Sequence, residues 1–221
     1  MSPDLIQALV GVLEAKDLST AAHTWRVVLY TRALAEAHGV DRATVTRLTH
    51  GAALHDVGKI DIPEEVLQKP GALTDAERRV METHAVLGYE RLVRMDETDE
   101  LVLGLVRHHH ERWDGAGYPD RLRAEEIPVG ARYFAVIDAF DAMTSLRPYR
   151  AEVGPDAAAR AIVELKGGRG TRYCGASVDA FTGLYETGRI GWILEYFNDR
   201  CPVPEYAALV NVEGVERAVR G

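Results

Sequence analysis

The chain has 221 residues, 47% of them hydrophobic, and carries 34 acidic against 26 basic residues for a net charge of −8. That apolar content supports a buried core in one large domain or two small ones, and the acidic balance disfavours nucleic acid and acidic lipid headgroups as partners. No apolar run reaches membrane-spanning length, Asp4 and Glu14 sit where a signal peptide would be uncharged, and Cys174 and Cys201 have neither disulfide nor zinc-thiolate spacing. The expectation is a cytoplasmic protein without membrane insertion or thiol chemistry.

Periodicity is helical almost throughout. Leu5, Leu9 and Leu13 recur at four-residue spacing, and Val27, Tyr30 and Leu34 continue one face after His23 to a stop near Gly39. A helix capped by Asp41 runs to Gly58. Thr74 and Glu77 have capping-box spacing ahead of a single helix in which Val80, His84 and Leu87 share an inward stripe. The next helix starts near Asp99, carries Leu101, Leu105 and Val106, and ends in His108, His109 and His110 before the turn "DGAGYP". Pro128 and Pro155 open two more helices, and shorter ones fit "SVDAFTGLYETG" and "IGWILEYF". No period-2 segment appears, so the fold class is all-α: a single helical domain over 1–188, with 189–221 as a C-terminal helical extension.

The apolar stripes are interrupted by ionisable residues. His23, His84, His109, His110 and Asp138 each stand four residues from an apolar position on the same helix and point inward. Taken singly, each reads as a hydrogen-bonded core residue. The adjacent pairs His55-Asp56 and His109-His110 read differently, because helical neighbours diverge by about 100° and both members face one site only where the chain turns. Gly58 and the glycines after His110 supply those turns. Imidazole and carboxylate without thiolate suit iron, manganese, cobalt, nickel or zinc. A carboxylate bridging two such ions describes a hydrolytic centre that activates water and neutralises phosphoryl charge.

In order and spacing, "HDVGK", "HHERWDGAGYP" and "DAFDAMTSLRPYR" resemble the motifs of the HD-GYP family, a branch of the HD phosphohydrolase superfamily. The resemblance runs from "DLSTAAHTWRV" to about Phe181. It implies a helical bundle around a metal centre, commonly of iron or manganese, that hydrolyses cyclic di-GMP to the linear dinucleotide pGpG or to GMP. Carried over by position, the metal ligands are His23, His55, Asp56, His84, His109, His110 and Asp138, with Asp56 bridging two divalent ions. Lys59 is implied beside the scissile phosphate as a catalytic and substrate-binding cation, and Arg147 and Arg150 hold the dinucleotide's phosphates. Asp141 is implied behind them, orienting Lys59 or Arg147.

Some members hold a third ion through a Glu one turn before the first histidine. Ser19 stands there, with Asp17 and Glu14 elsewhere on the helix, so a binuclear centre is expected. The chain has "YCG" where relatives read "FDP". Gly117, Tyr118 and Pro119 form a loop surface for substrate or for a partner, such as a diguanylate cyclase with a GGDEF domain or a separate sensory protein; a homodimer remains open. Two rival readings stay beside this one: hydrolysis of another cyclic nucleotide, and a non-catalytic sensor or docking module. His108 has no family counterpart and reads as solvent-facing or packed behind the ligands.

Overall fold

The computed structural model describes residues 1–17, 21–145 and 156–197. Its helices are α1 (Pro3–Lys16), α2 (Ala21–Ala37), α3 (Arg42–Leu54), α4 (Glu64–Leu67), α5 (Asp75–Glu82), α6 (His84–Arg94), α7 (Glu100–His108), α8 (Val129–Thr144), α9 (Ala157–Gly167), α10 (Gly175–Glu186) and α11 (Gly191–Tyr196). Short 3-10 turns cover Val57–Asp61 and Ala124–Glu126. No strand occurs among the described residues, in keeping with the all-α expectation.

The starts of these helices follow ordinary capping chemistry. Asp41 accepts the Thr44 N–H at 3.0 Å, and Asp99 accepts that of Leu101 at 2.9 Å. Thr74 and Glu77 close a reciprocal capping box, with Thr74 N–H donating to Glu77 at 2.8 Å. Helix α2 forms the middle of the bundle and packs on α3, α8, α10 and α11. Val27, Tyr30 and Leu34 are buried on it, as expected, and so is Arg26. Helix α8 packs against α2 and α7 and delivers Phe134, Ile137 and Phe140 to the same core. Ile190, Ile193 and Phe197 join that core too, with Phe197 stacked on Trp25 at 5.4 Å. Of the expected C-terminal extension, 198–221 lies outside the described residues, as does Pro155.

Two expectations of continuity are corrected. The helix read through to Gly58 ends at Leu54, and the chain tightens into the 3-10 turn. The helix expected to span Val80 to Leu87 breaks at Thr83 into α5 and α6. As a result Val80 is exposed on a surface helix with no buried residue, while His84 starts a new helix and is buried. One contact ties both breaks together. A methyl group on Gly58 would sit 1.9 Å from the His84 carbonyl oxygen and 2.4 Å from the Gly88 nitrogen, so only glycine lets the turn after His55-Asp56 lie against the start of α6.

Gly58→Ala is therefore expected to lower unfolding stability by about 3 kcal/mol or more in urea titration, at the upper end for an overpacked core. Gly11→Ala, on an exposed helix face with nothing within 4 Å of the added methyl, is expected to raise it by about 0.5–1 kcal/mol.

Candidate metal centre

Three of the expected ligands are aimed by one device. His55 Nδ1–H donates to the Ala52 carbonyl at 2.8 Å, His84 Nδ1–H to Met81 at 2.7 Å, and His109 Nδ1–H to Val106 at 2.9 Å. Each acceptor lies three residues back, among the last carbonyls of α3, α5 and α7, which have no partner within their own helix. A carbonyl cannot donate, so the bond fixes the tautomer: Nδ1 carries the proton and Nε2 presents a lone pair. His23 reaches the same state by another route, donating Nδ1–H to Asp141 Oδ2 at 2.7 Å.

These lone pairs converge. His84, His109 and His110 bring ligand atoms within 4.8 Å of one another, and so do His23, His55 and Asp138. His55 and His109, with ring centroids 5.3 Å apart, join the two groups. Asp56 lies between them, with Oδ2 3.1 Å from His55 Nε2 and Oδ1 3.3 Å from His84 Nε2. The closest pair decides the chemistry. His84 Nε2 and His109 Nε2 are 3.2 Å apart, and with both protons committed to Nδ1 this is an acceptor facing an acceptor. Only a cation between them makes such an arrangement favourable, so the donors fit metal ions.

Protonation points the same way for three of the imidazoles, whereas at His55 burial is outweighed by the Asp56 carboxylate beside it, which raises it. Burial holds His84 below the ordinary histidine range, and burial with the neighbouring imidazoles of His110, His84 and His55 pushes His109 well below it. Burial, seconded by His84, takes His110 down to about 3. Neutral imidazoles are the form that binds metal. For Asp56, burial favours the neutral acid, but His55 and Lys59 outweigh it and hold the carboxyl well below its usual range.

The residues around the ligands depart from expectation at Asp141. It does not orient Lys59. The carboxylate is fully buried, accepts from His23, Arg26 Nε and Ser145 Oγ, and so sets the tautomer of a ligand instead. Arg26 also donates to the Phe197 carbonyl at 2.6 Å, tying α11 to the same network. Sequence reasoning missed this arginine; the available signal was a single charge inside the apolar run of "HTWRVVLY". Lys59 is claimed from two sides, by Asp56 at 2.7 Å and by Asp17 at 2.9 Å. Burial opposes its charge, but the two carboxylates prevail and raise it above the ordinary lysine range. The role of Asp17, set aside in the sequence reading, was missed too. Its neighbour Lys16 donates to the carbonyls of Ile60 and Ile62, so the end of α1 grips the turn that carries Lys59. Arg147, Arg150 and Ser19 lie outside the described residues.

The loop after His110 is folded back onto the site. Gly115 has φ +77°, and a methyl on Gly117 would meet the Arg112 nitrogen at 2.4 Å. Gly117 is buried, so close approach rather than surface accounts for it. Tyr118 stacks on His110 with centroids 4.7 Å apart. The "YCG" loop braces this turn through Trp113 N–H to Arg172 and Asp114 N–H to Thr171, at 3.1 and 2.8 Å. Tyr118 and Pro119 also line a cleft of about 650 Å3 shared with Arg79, Glu82, Thr83 and Arg121.

Comparison with known proteins identifies the family. Residues 10–173 match the model of the HD domain family. The chain is 38% identical over 183 residues to a protein of Thermotoga maritima named cyclic di-GMP phosphodiesterase, covering 82% of this chain and 49% of that one. It is 37% identical over 150 residues to 3'3'-cGAMP-specific phosphodiesterase 2 of Vibrio cholerae, covering 67% and 29%. The chain thus spans half or less of these relatives. A solved structure described as an HDG"Y"P protein from Bdellovibrio bacteriovorus superposes with TM-score 0.59 at 22% identity, over 74% of this chain and 51% of that one.

Asp141→Asn should leave His23 without its charged anchor and weaken divalent-metal binding by about 10–100-fold, read by competition against a chromophoric chelator. The same change strands Arg26, and losing one partner of a buried pair costs about 3–5 kcal/mol, so unfolding should be followed in parallel.

Proposed function

The chain belongs to the HD domain family and carries the motifs of its HD-GYP branch, and from that premise we propose that it is a metal-dependent phosphodiesterase that hydrolyses cyclic di-GMP. The observation that carries the reading is the position of Asp56, one oxygen toward each of two histidine groups, which is what a carboxylate shared by two ions requires. His23, His55 and Asp138 would hold one ion, and His84, His109 and His110 the other. Iron or manganese is proposed, on a donor set of imidazole and carboxylate. When bound, the pair supplies a nucleophile from water at neutral pH and neutralises charge on phosphoryl oxygens.

The chain's own residues do the rest. Lys59, held as a fixed cation between Asp56 and Asp17, faces negative charge that develops on the phosphate and the departing 3'-oxygen. Arg147 and Arg150 are proposed to fork onto the phosphates. Tyr118, stacked on His110, also lines the cleft beside the site, whose volume is in the range of small-ligand sites. Whether hydrolysis stops at pGpG or continues to GMP depends on how the opened dinucleotide is retained. A diguanylate cyclase with a GGDEF domain, or a separate sensory protein, is the proposed partner, with the cytoplasm as the place; among the described residues no helix is long and apolar enough to cross a membrane.

The relative named for 3'3'-cGAMP makes that dinucleotide the second substrate to test. Purified chain supplied anaerobically with iron(II) or manganese(II) is expected to convert cyclic di-GMP to pGpG or GMP, resolved by liquid chromatography. Turnover of 3'3'-cGAMP alone would move the assignment to that substrate, and binding without turnover of either would make the chain a sensor. Lys59→Met is expected to lower kcat by about 100-fold or more with metal content unchanged, and Asp17→Asn to lower it less.

A further inference from the structure

The three consecutive histidines divide at the end of α7. His109 and His110 face the central ligands, whereas His108 turns to Glu111 and to Asp120 beyond the folded-back loop. The ligand atoms of these three residues lie within 4.8 Å of one another. His108 Nδ1 is 3.5 Å from Asp120 Oδ2 and 3.9 Å from Glu111 Oε1. The Glu111 side chain is completely shielded from solvent. Its Oε1 accepts the Asp120 N–H at 2.8 Å, and the Arg121 and Leu122 N–H groups also face the carboxylate, yet buried Oε2 makes no hydrogen bond of ordinary geometry, and neither does buried His108 Nδ1. A shielded carboxylate oxygen and a shielded imidazole nitrogen without well-formed hydrogen bonds are costly, and here both belong to one cluster. The nearby guanidinium does not relieve them, because Arg107 gives both arms of its fork to Asp120, at 2.8 and 2.9 Å.

Donor atoms around one tetrahedral zinc, each about 2.0–2.2 Å from it, lie about 3.4 Å apart. The separation of His108 from Asp120 already matches, and that from Glu111 is half an ångström longer. We propose that His108, Glu111 and Asp120 form a separate binding site for a divalent transition ion of the zinc class. One imidazole and two carboxylates suit such an ion, and the second lone pairs of the Asp120 oxygens stay available while Arg107 acts as the outer partner. The site has no contact with the central ligands through these atoms, and its role is mechanical. An ion there joins the end of α7, which presents His109 and His110, to the far end of the loop that stacks Tyr118 on His110.

The test uses the full chain, with zinc as the probe, in a buffer free of nucleotide. Wild type, His108→Gln and Asp120→Asn are dialysed against limiting zinc and then manganese-saturated buffer, and bound metal is counted by plasma mass spectrometry. Wild type is expected to retain one zinc more than either variant, and to gain a larger zinc-dependent rise in melting temperature than either variant does through the central ligands. Equal zinc retention by wild type and by a variant whose circular dichroism is native overturns the site. A three-donor site loses its ion with either change, so one folded variant is sufficient. Hydrolysis is not a readout, so the outcome is independent of the proposed activity.

Discussion

The 3.2 Å approach of His84 Nε2 to His109 Nε2 is the constraint on which the rest of the structure depends. Two lone pairs at that distance repel, and burial disfavours a second proton on either ring, each of which already spends its one N–H on a backbone carbonyl. The device that enforces this is repeated. The carbonyls that anchor His55, His84 and His109 lie at the C-terminal ends of α3, α5 and α7, where the last turn of each helix leaves acceptors unused and carries partial negative charge. Three helix ends thus position the ligands and also favour a cation among them. The cost of so many clustered acceptors is met by the surrounding core, in which α2 and α8 contribute fully buried residues such as Tyr30, Phe134 and Phe140.

A second layer keeps the ligands where they are. Asp141 neutralises Arg26 and fixes His23, and Arg26 reaches onward to the Phe197 carbonyl, so residues far apart in sequence share one buried charge balance. A buried ion pair is weak evidence of net stability. Its value here is specificity, since the same carboxylate that holds the arginine also chooses the histidine tautomer. On the other side, Asp17 and Lys16 link the end of α1 to the turn that carries Lys59. Displacement of α1 would therefore move Lys59, the cation that sits against Asp56.

The helical class and the inward placement of His23 were legible from local spacing, and the clustering of His55-Asp56 with His109-His110 from the turn residues beside each pair; His84 is buried as expected, but not through the stripe with Val80, which is exposed. What was not legible depended on pairing across the chain. The break at Thr83 follows from packing of Gly58 against the start of α6, and no local signal in "RRVMETHAVLGYERLV" marks it. Asp141 was placed behind the ligands, but among the described residues it pairs with His23 and Arg26, 118 and 115 residues away, and not with Lys59. Asp17 was set aside as lying elsewhere on the helix of His23; instead it closes α1 in extended conformation and meets Lys59 across the fold.

If the juxtaposed histidines require a cation, the unfolding midpoint of the chain in urea must depend on divalent metal. Measured after exhaustive chelation and again with manganese at a hundredfold excess over its dissociation constant, the account predicts a gain of about 2.7 kcal/mol for one site, and more if both ions bind. An unfolding midpoint that is the same in chelator and in saturating metal would show that the 3.2 Å contact is satisfied without an ion, and would contradict the account at its base.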